Sequence, residues 1–92
     1  MEPTYCTHLP AKEKLLKPTV MVCNQCLAMG SAWVHLRLCQ TCGQVHCCDS
    51  SPNRHATQHF LETGHPVVSS AEPGESWAWC YPDELFMPLP AL

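Results

Sequence analysis

Charge is scarce in this sequence: Asp, Glu, Lys and Arg make up only 14% of it, and five basic residues face eight acidic ones for a net charge of −3. Only Lys12, Lys14 and Lys17 fall close together. Binding to nucleic acid needs a basic stripe that neutralises phosphates, so nucleic acid is not an expected partner. Long apolar runs are missing too, and no membrane span is expected. The start, Met1-Glu2-Pro3, has no basic segment leading into an apolar one, so no secretory signal is read there. A reducing, cytoplasmic setting is the expectation. Low-complexity stretches, interdomain linkers and internal repeats are also wanting, apart from two Cys-x-x-Cys turns, so residues 1–92 are taken as one domain, expected to be monomeric. A chain of 92 residues buries too small a fraction of its surface for an oily core alone to hold it comfortably.

What the chain has instead is eight Cys and six His, with nine Pro that imply many turns. Under reducing conditions such a cysteine count reads as metal or redox chemistry more readily than as a disulfide framework.

The expected elements are short. Residues 11–17 (AKEKLLK) favour one or two helical turns stopped by Pro18, with Leu15 and Leu16 facing inward. Residues 33–38 (WVHLRL) alternate, placing Trp33, His35 and Arg37 on one strand face and Val34, Leu36 and Leu38 on the other. A turn at Cys39-Gln40-Thr41-Cys42-Gly43 leads into a strand over 44–48, which completes a metal-binding hairpin. The main helix is predicted over 52–63, with Ser51 as N-cap, Pro52 at its first position and Gly64 as its stop. Residues 67–70 and 76–81 read as two more strands joined by a turn at 72–75. The apolar end, 85–92, is interrupted by Pro88 and Pro90 and is expected to lie along the core without forming a helix. The fold class is a small α+β domain, a twisted antiparallel sheet flanked by the main helix and a short N-terminal one.

Structural zinc takes four soft or borderline ligands in a tetrahedron, and a Cys-x-x-Cys loop presents two thiolates at the required separation. Two such loops occur, Cys23/Cys26 and Cys39/Cys42. His55 and His59 are four apart on the predicted helix and project from one face, and His65 follows just after Gly64. Cys6 and His8, two apart on an extended segment, point to the same side. Cys48 beside Cys47 on a strand points the opposite way and reads as a small buried residue, and His35 and His46 read as surface or ligand-supporting histidines.

Taken in order, Cys6-x-His8, Cys23-x-x-Cys26, Trp33, Cys39-x-x-Cys42-Gly43, Cys47, His55, His59, Gly64-His65-Pro66 and Trp79-Cys80-Tyr81 resemble the UBP-type, or ubiquitin-binding, zinc finger over nearly the whole chain. The variant stretch Cys-Cys-Asp-Ser-Ser-Pro looks like that of stand-alone bacterial members. The resemblance implies three crosswise zinc sites: Cys23, Cys26, Cys47 and His55; Cys39, Cys42, His59 and His65; and Cys6, His8 and Cys80 with a fourth ligand three residues on. That fourth position is Asp83 here where the family usually has Cys, and a carboxylate oxygen can serve. Three Zn²⁺ ions are expected, or two if that last site stays empty.

With these ligands closing the sites, no catalytic residue is expected: a catalytic zinc keeps an open position. The expected role is recognition of a peptide or protein tail. The resemblance implies an aromatic pocket for the free end of ubiquitin, to which Trp33, Trp79 and Tyr81 correspond; ordinary core packing is the other reading of these aromatics, of Trp33 above all. The family's Arg-Tyr pair is replaced by Asp49-Ser50, which reverses the local charge. Capture of a ubiquitin-like C-terminus by the standard route is therefore not expected unless Arg37 or Arg54 substitutes; Asp49 either favours a cationic group at the pocket rim or serves as a helix-capping residue near Ser51. The alternative is a structural or regulatory zinc domain that docks onto a separate enzyme through residues 85–92.

Overall fold

The computed structural model describes residues 5–89. Five antiparallel strands form one sheet in the order β2-β1-β3-β4-β5: β1 Leu36–Cys39, β2 Val45–Cys47, β3 Val67–Ser70, β4 Trp77–Cys80 and β5 Leu85–Pro88. Two helices, α1 Asn24–Ala28 and α2 His55–Thr63, join a 3-10 turn at Lys12–Lys14. This is the small α+β architecture that the sequence predicts.

Strand alternation divides the sheet. Leu36, Leu38, Val67, Ala78 and Met87 are buried on one face. They separate into two apolar clusters, one around Cys23, Cys26, Leu36, Leu38, Val45 and Cys47, the other around Val67, Ala78, Cys80 and Met87 with Tyr5, Cys6 and Leu9 laid against it. On the other face the register sets Cys39, Val68, Trp79 and Phe86 side by side across β1, β3, β4 and β5. Arg37 pairs with Ser70 in the neighbouring row, and Trp77 pairs with Pro88.

Several local expectations shift. The main helix starts at His55, three residues later than predicted, and Ser51 does not cap it. The Ser51 hydroxyl instead accepts the Val34 N–H at 2.8 Å. Arg54 takes up a left-handed conformation, φ 48°, just before the helix, and the His55 N–H donates to Cys47 Sγ at 3.2 Å. Bringing the His55 ring among three buried sulfurs sets the start of the helix more firmly than the Ser51-Pro52 signal does. Its end is as predicted, with Gly64 at φ 76° returning its N–H to the Phe60 carbonyl.

Residues 23–26 carry a helical turn, α1, where a bare turn was expected; Cys23 is its N-cap and Leu27 N–H closes on the Cys23 carbonyl at 3.0 Å. Leu16 is exposed and does not face inward, since residue 16 is held by its backbone: Gln40 bonds both its N–H and its carbonyl, at 2.8 and 3.1 Å. Leu36 and Leu38 are core residues as expected, but Val34 is 52% exposed because β1 begins only at Leu36. The apolar end supplies an edge strand, with Leu85 and Met87 turned inward and Phe86 outward. Residues 90–92 of the predicted tail lie outside the described residues.

Candidate metal centres and binding pocket

The hairpin β1–β2, helices α1 and α2, the loop before β3, the segment at Cys6–His8 and the end of β4 with the turn after it together bring twelve side chains into three groups. They are Cys23, Cys26, Cys47 and His55; Cys39, Cys42, His59 and His65; and Cys6, His8, Cys80 and Asp83, with the ligand atoms of each group within 4.8 Å of one another. These are the side chains singled out in the sequence, in the predicted groupings.

The spacing within each group suits zinc. With Zn–S about 2.3 Å and Zn–N about 2.0 Å, a tetrahedron has S···N edges of about 3.5 Å. His55 Nδ1 lies 3.3, 3.4 and 3.4 Å from the sulfurs of Cys23, Cys26 and Cys47. One ring N–H cannot donate to three sulfurs, so these distances are the edges of a cage and not hydrogen bonds. In the second group Cys39 is 3.4 Å from His65, Cys42 is 3.4 Å from His59, and the two imidazoles approach to 3.2 Å. In the third, Cys80 Sγ is 3.4 Å from His8 Nδ1 and 3.6 Å from Asp83 Oδ2, and His8 lies 3.3 Å from the same oxygen. The Asp83 carboxylate thus stands where a fourth ligand is needed.

The three groups differ in their surroundings. All four side chains of the first are buried, whereas His8 and Asp83 of the third are 38% and 45% exposed. Burial, with neighbouring thiols adding to it, pushes the Cys26 thiol up to about 11 and Cys80 up to about 12. At neutral pH these sulfurs become thiolates only with a compensating cation, so binding a metal releases protons. Supporting groups are in place: the Asn53 side chain donates to Cys26 Sγ at 3.7 Å and to Ser31 Oγ at 2.7 Å. His46 is buried, not at the surface, and stacks on His59 with ring centroids 4.6 Å apart. Burial, with His59 and His55 nearby, pushes its pKa down to about 4, which keeps it neutral beside the cages. Cys48 is buried, belongs to none of the groups, and meets Ser51 Oγ at 3.5 Å.

A pocket of about 280 Å³ opens on the other face of the sheet, walled by Trp77, Trp79, Tyr81 and Phe86, with Arg37 and Asp49 among its lining. Of the predicted pocket residues, Asp49, Trp79 and Tyr81 are brought together there. Trp33 is not; it packs on the apolar cluster around the first cage. Arg37 lies over Trp77, 4.5 Å from its centroid, whereas Arg54 does not line the pocket. Tyr81 stacks on Phe60 of α2 at 4.6 Å, and its hydroxyl is 3.3 Å from that of Thr57, which also donates to Asp49. Burial pushes the Tyr81 hydroxyl up, the Thr57 contact lowers it, and Asp49 and Arg37 act on it in opposite directions. Trp77 and Phe86 were not singled out from the sequence. The period of two in Trp77-Ala78-Trp79 would have placed Trp77 beside Trp79. A wider groove of about 610 Å³, between residues 15–21 and 69–77, holds none of the predicted site residues.

Two four-residue sets of Cys and His, and a third completed by Asp83, on a small sheet define a zinc finger domain. A family model described as "Zn-finger in ubiquitin-hydrolases and other protein" matches residues 23–90, and the chain belongs to that family. The fold is similar to the solution NMR structure of protein RPA1320 from Rhodopseudomonas palustris, with a TM-score of 0.79 and 46% identity over 96% of this chain and 85% of that one. The chain is also 37% identical over 59 residues to the NAD-dependent deacetylase sir2A of Dictyostelium discoideum, matching 64% of this chain and 10% of that protein. The chain therefore spans about a tenth of that curated relative. Among the described residues no helix is long and apolar enough to cross a membrane.

Proposed function

We propose that the chain is a non-catalytic recognition module, held by three zinc ions, that takes a peptide or protein tail into the pocket on the open face of its sheet. The observation that carries this reading is the grouping of Trp77, Trp79, Tyr81 and Phe86 around one cavity, each of them at least partly exposed. Phe86 is 56% exposed, and a cluster of aromatics beside water is a frequent mark of a binding site. Recognition in place of catalysis is supported by the closure of each cage with four protein ligands, which leaves no position for an activated water. A reducing setting such as the cytoplasm fits, because the thiols must stay unpaired to hold metal.

The test is Trp79→Ala, first checked for unchanged zinc content and circular dichroism. Titrations use ubiquitin with a free C-terminus and synthetic tail peptides, followed by calorimetry. Loss of at least about tenfold in affinity is expected from removing one aromatic anchor. Undiminished binding by the folded variant would end the pocket reading.

A second reading, a zinc domain docking onto a separate enzyme through residues 85–92, is supported by the exposed Phe86 on edge strand β5 and by the match to a segment of a deacetylase. Under that reading Trp79→Ala leaves the association intact.

A further inference from the structure

The cysteines differ sharply in their access to solvent. Among the described residues Cys42 is the one exposed cysteine, whereas Cys23, Cys26, Cys47 and Cys80 have no exposure and Cys39 has 1%. Oxidation of a cysteine follows its thiolate character and its exposure. Cys42 combines the two when its cage is filled, because metal binding makes the sulfur a thiolate and the fold leaves it at the surface.

A partner sulfur stands three residues back in the same knuckle. Cys39 Sγ lies within 4.8 Å of Cys42 Sγ, and the N–H groups of Thr41 and Cys42 bond to it. Cys-x-x-Cys pairs of this kind close into disulfides in redox proteins without rearranging the fold around them. The other cages lack such a route: the three sulfurs of the first are hidden, and Cys6 and Cys80 of the third lie on separate segments of the chain.

The knuckle also has supports that do not depend on metal. The Gly43 N–H bonds the Cys39 carbonyl at 2.8 Å, and buried Gln40 bonds both backbone groups of Leu16 and Ser69 Oγ. His59 stays stacked on buried His46. With the first cage intact, emptying the second is a local event that can be reversed.

We infer that Cys42 is a site of oxidative modification, at which a peroxide joins Cys42 to Cys39 and frees the metal of the second cage. The Cys42 thiolate attacks the peroxide, the O–O bond breaks, and Cys42 becomes a sulfenic acid as hydroxide leaves. The Cys39 thiolate then attacks the Cys42 sulfur, the S–S bond forms, and a second hydroxide leaves. Two electrons have passed from the sulfurs to the peroxide, and two protons from solvent turn both hydroxides into water. His59 and His65 remain, too few to close a tetrahedral site. A thiol reductant returns both thiolates, and the cage refills. None of this depends on what the aromatic pocket binds.

The experiment titrates hydrogen peroxide into the full zinc-loaded chain, counts zinc by native mass spectrometry, and maps disulfides in the first oxidised species by peptide mass spectrometry. Expected are the loss of one zinc ion per chain, a Cys39–Cys42 disulfide, a retained circular-dichroism spectrum, and recovery of the lost ion on adding dithiothreitol and zinc. Cys42→His, which keeps a ligand atom but removes the exposed sulfur, should hold its zinc at the same peroxide dose. A first disulfide between Cys6 and Cys80 or within the first cage overturns the assignment. So does a sulfinic acid at Cys42 with Cys39 unpaired, or early zinc loss from folded Cys42→His. Should that variant not fold, the disulfide map of the parent chain decides alone.

Discussion

Deleting one sulfur from the innermost cage tests most directly what holds this domain together. Cys26 is fully buried and shares an apolar cluster with Cys23, Cys47, Leu36 and Leu38. A structural zinc site contributes about 10–16 kcal/mol to folding. At about 0.05–0.15 kcal/mol per residue, the whole 92-residue chain has a net stability of only about 5–14 kcal/mol. Loss of this one site is therefore comparable to the entire margin, and Cys26→Ala should show no cooperative melt at room temperature. Cys48 is the control: it is also buried but outside every cage, and its thiol meets Ser51 Oγ at 3.5 Å. Cys48→Ser should cost no more than about 1 kcal/mol, or about 4–8 °C in melting temperature for a domain of this size. Circular-dichroism melts, read alongside native mass spectrometry to count zinc, give both values. A Cys26→Ala protein melting within a few degrees of the parent, or a Cys48→Ser protein that is the more damaged of the two, would refute the reasoning.

Stepwise chelation with EDTA, followed by native mass spectrometry, should empty the Cys6/His8/Cys80/Asp83 site first, because His8 and Asp83 are partly exposed and one of its ligands is an oxygen; earlier loss from the fully buried site would contradict this. Leu38→Ala, at a position with no solvent exposure, should destabilise by about 2–5 kcal/mol in urea titration, and a change below about 1 kcal/mol would argue against the assigned core. Gly64→Ala should lower the melting temperature by about 4–8 °C, since the position has φ 76° and an added Cβ meets nothing within 4 Å, leaving backbone conformation as the sole cost of roughly 1 kcal/mol. An unchanged melt would mean that the helix end tolerates a side chain.

The ligand groups were legible because metal coordination leaves its mark in local spacing: two Cys-x-x-Cys loops, histidines one helical turn apart, and a Cys-x-His on an extended segment. Which groups combine is a matter of three-dimensional assembly, and resemblance to a family supplied it. The start of α2 was misread because Ser51-Pro52 carries a strong local capping signal, while the competing demand, a buried His55 ring between three sulfurs, involves residues up to 32 positions away. β5 was missed because Pro88 and Pro90 argue against a strand, yet an edge strand tolerates proline where its N–H faces no neighbour. Trp33 was set at the pocket and Trp77 passed over for a related reason. Nothing local distinguishes an aromatic that fills a gap beside a metal cage from one that walls a cavity, and only the register of β4 against β5 resolves it.

The clasp between His8 and Cys80 spans 72 positions. During synthesis the chain leaves the ribosome N-terminus first, so Cys6 and His8 are made long before Cys80 and Asp83 exist to meet them. For that interval the nascent sulfurs are open to oxidants and to stray cations. Maturation of this domain should consequently be more sensitive to the reductant and zinc supply of the cell than the finished molecule is, and shortage of either should appear as degraded newborn chains rather than as failure of the existing pool.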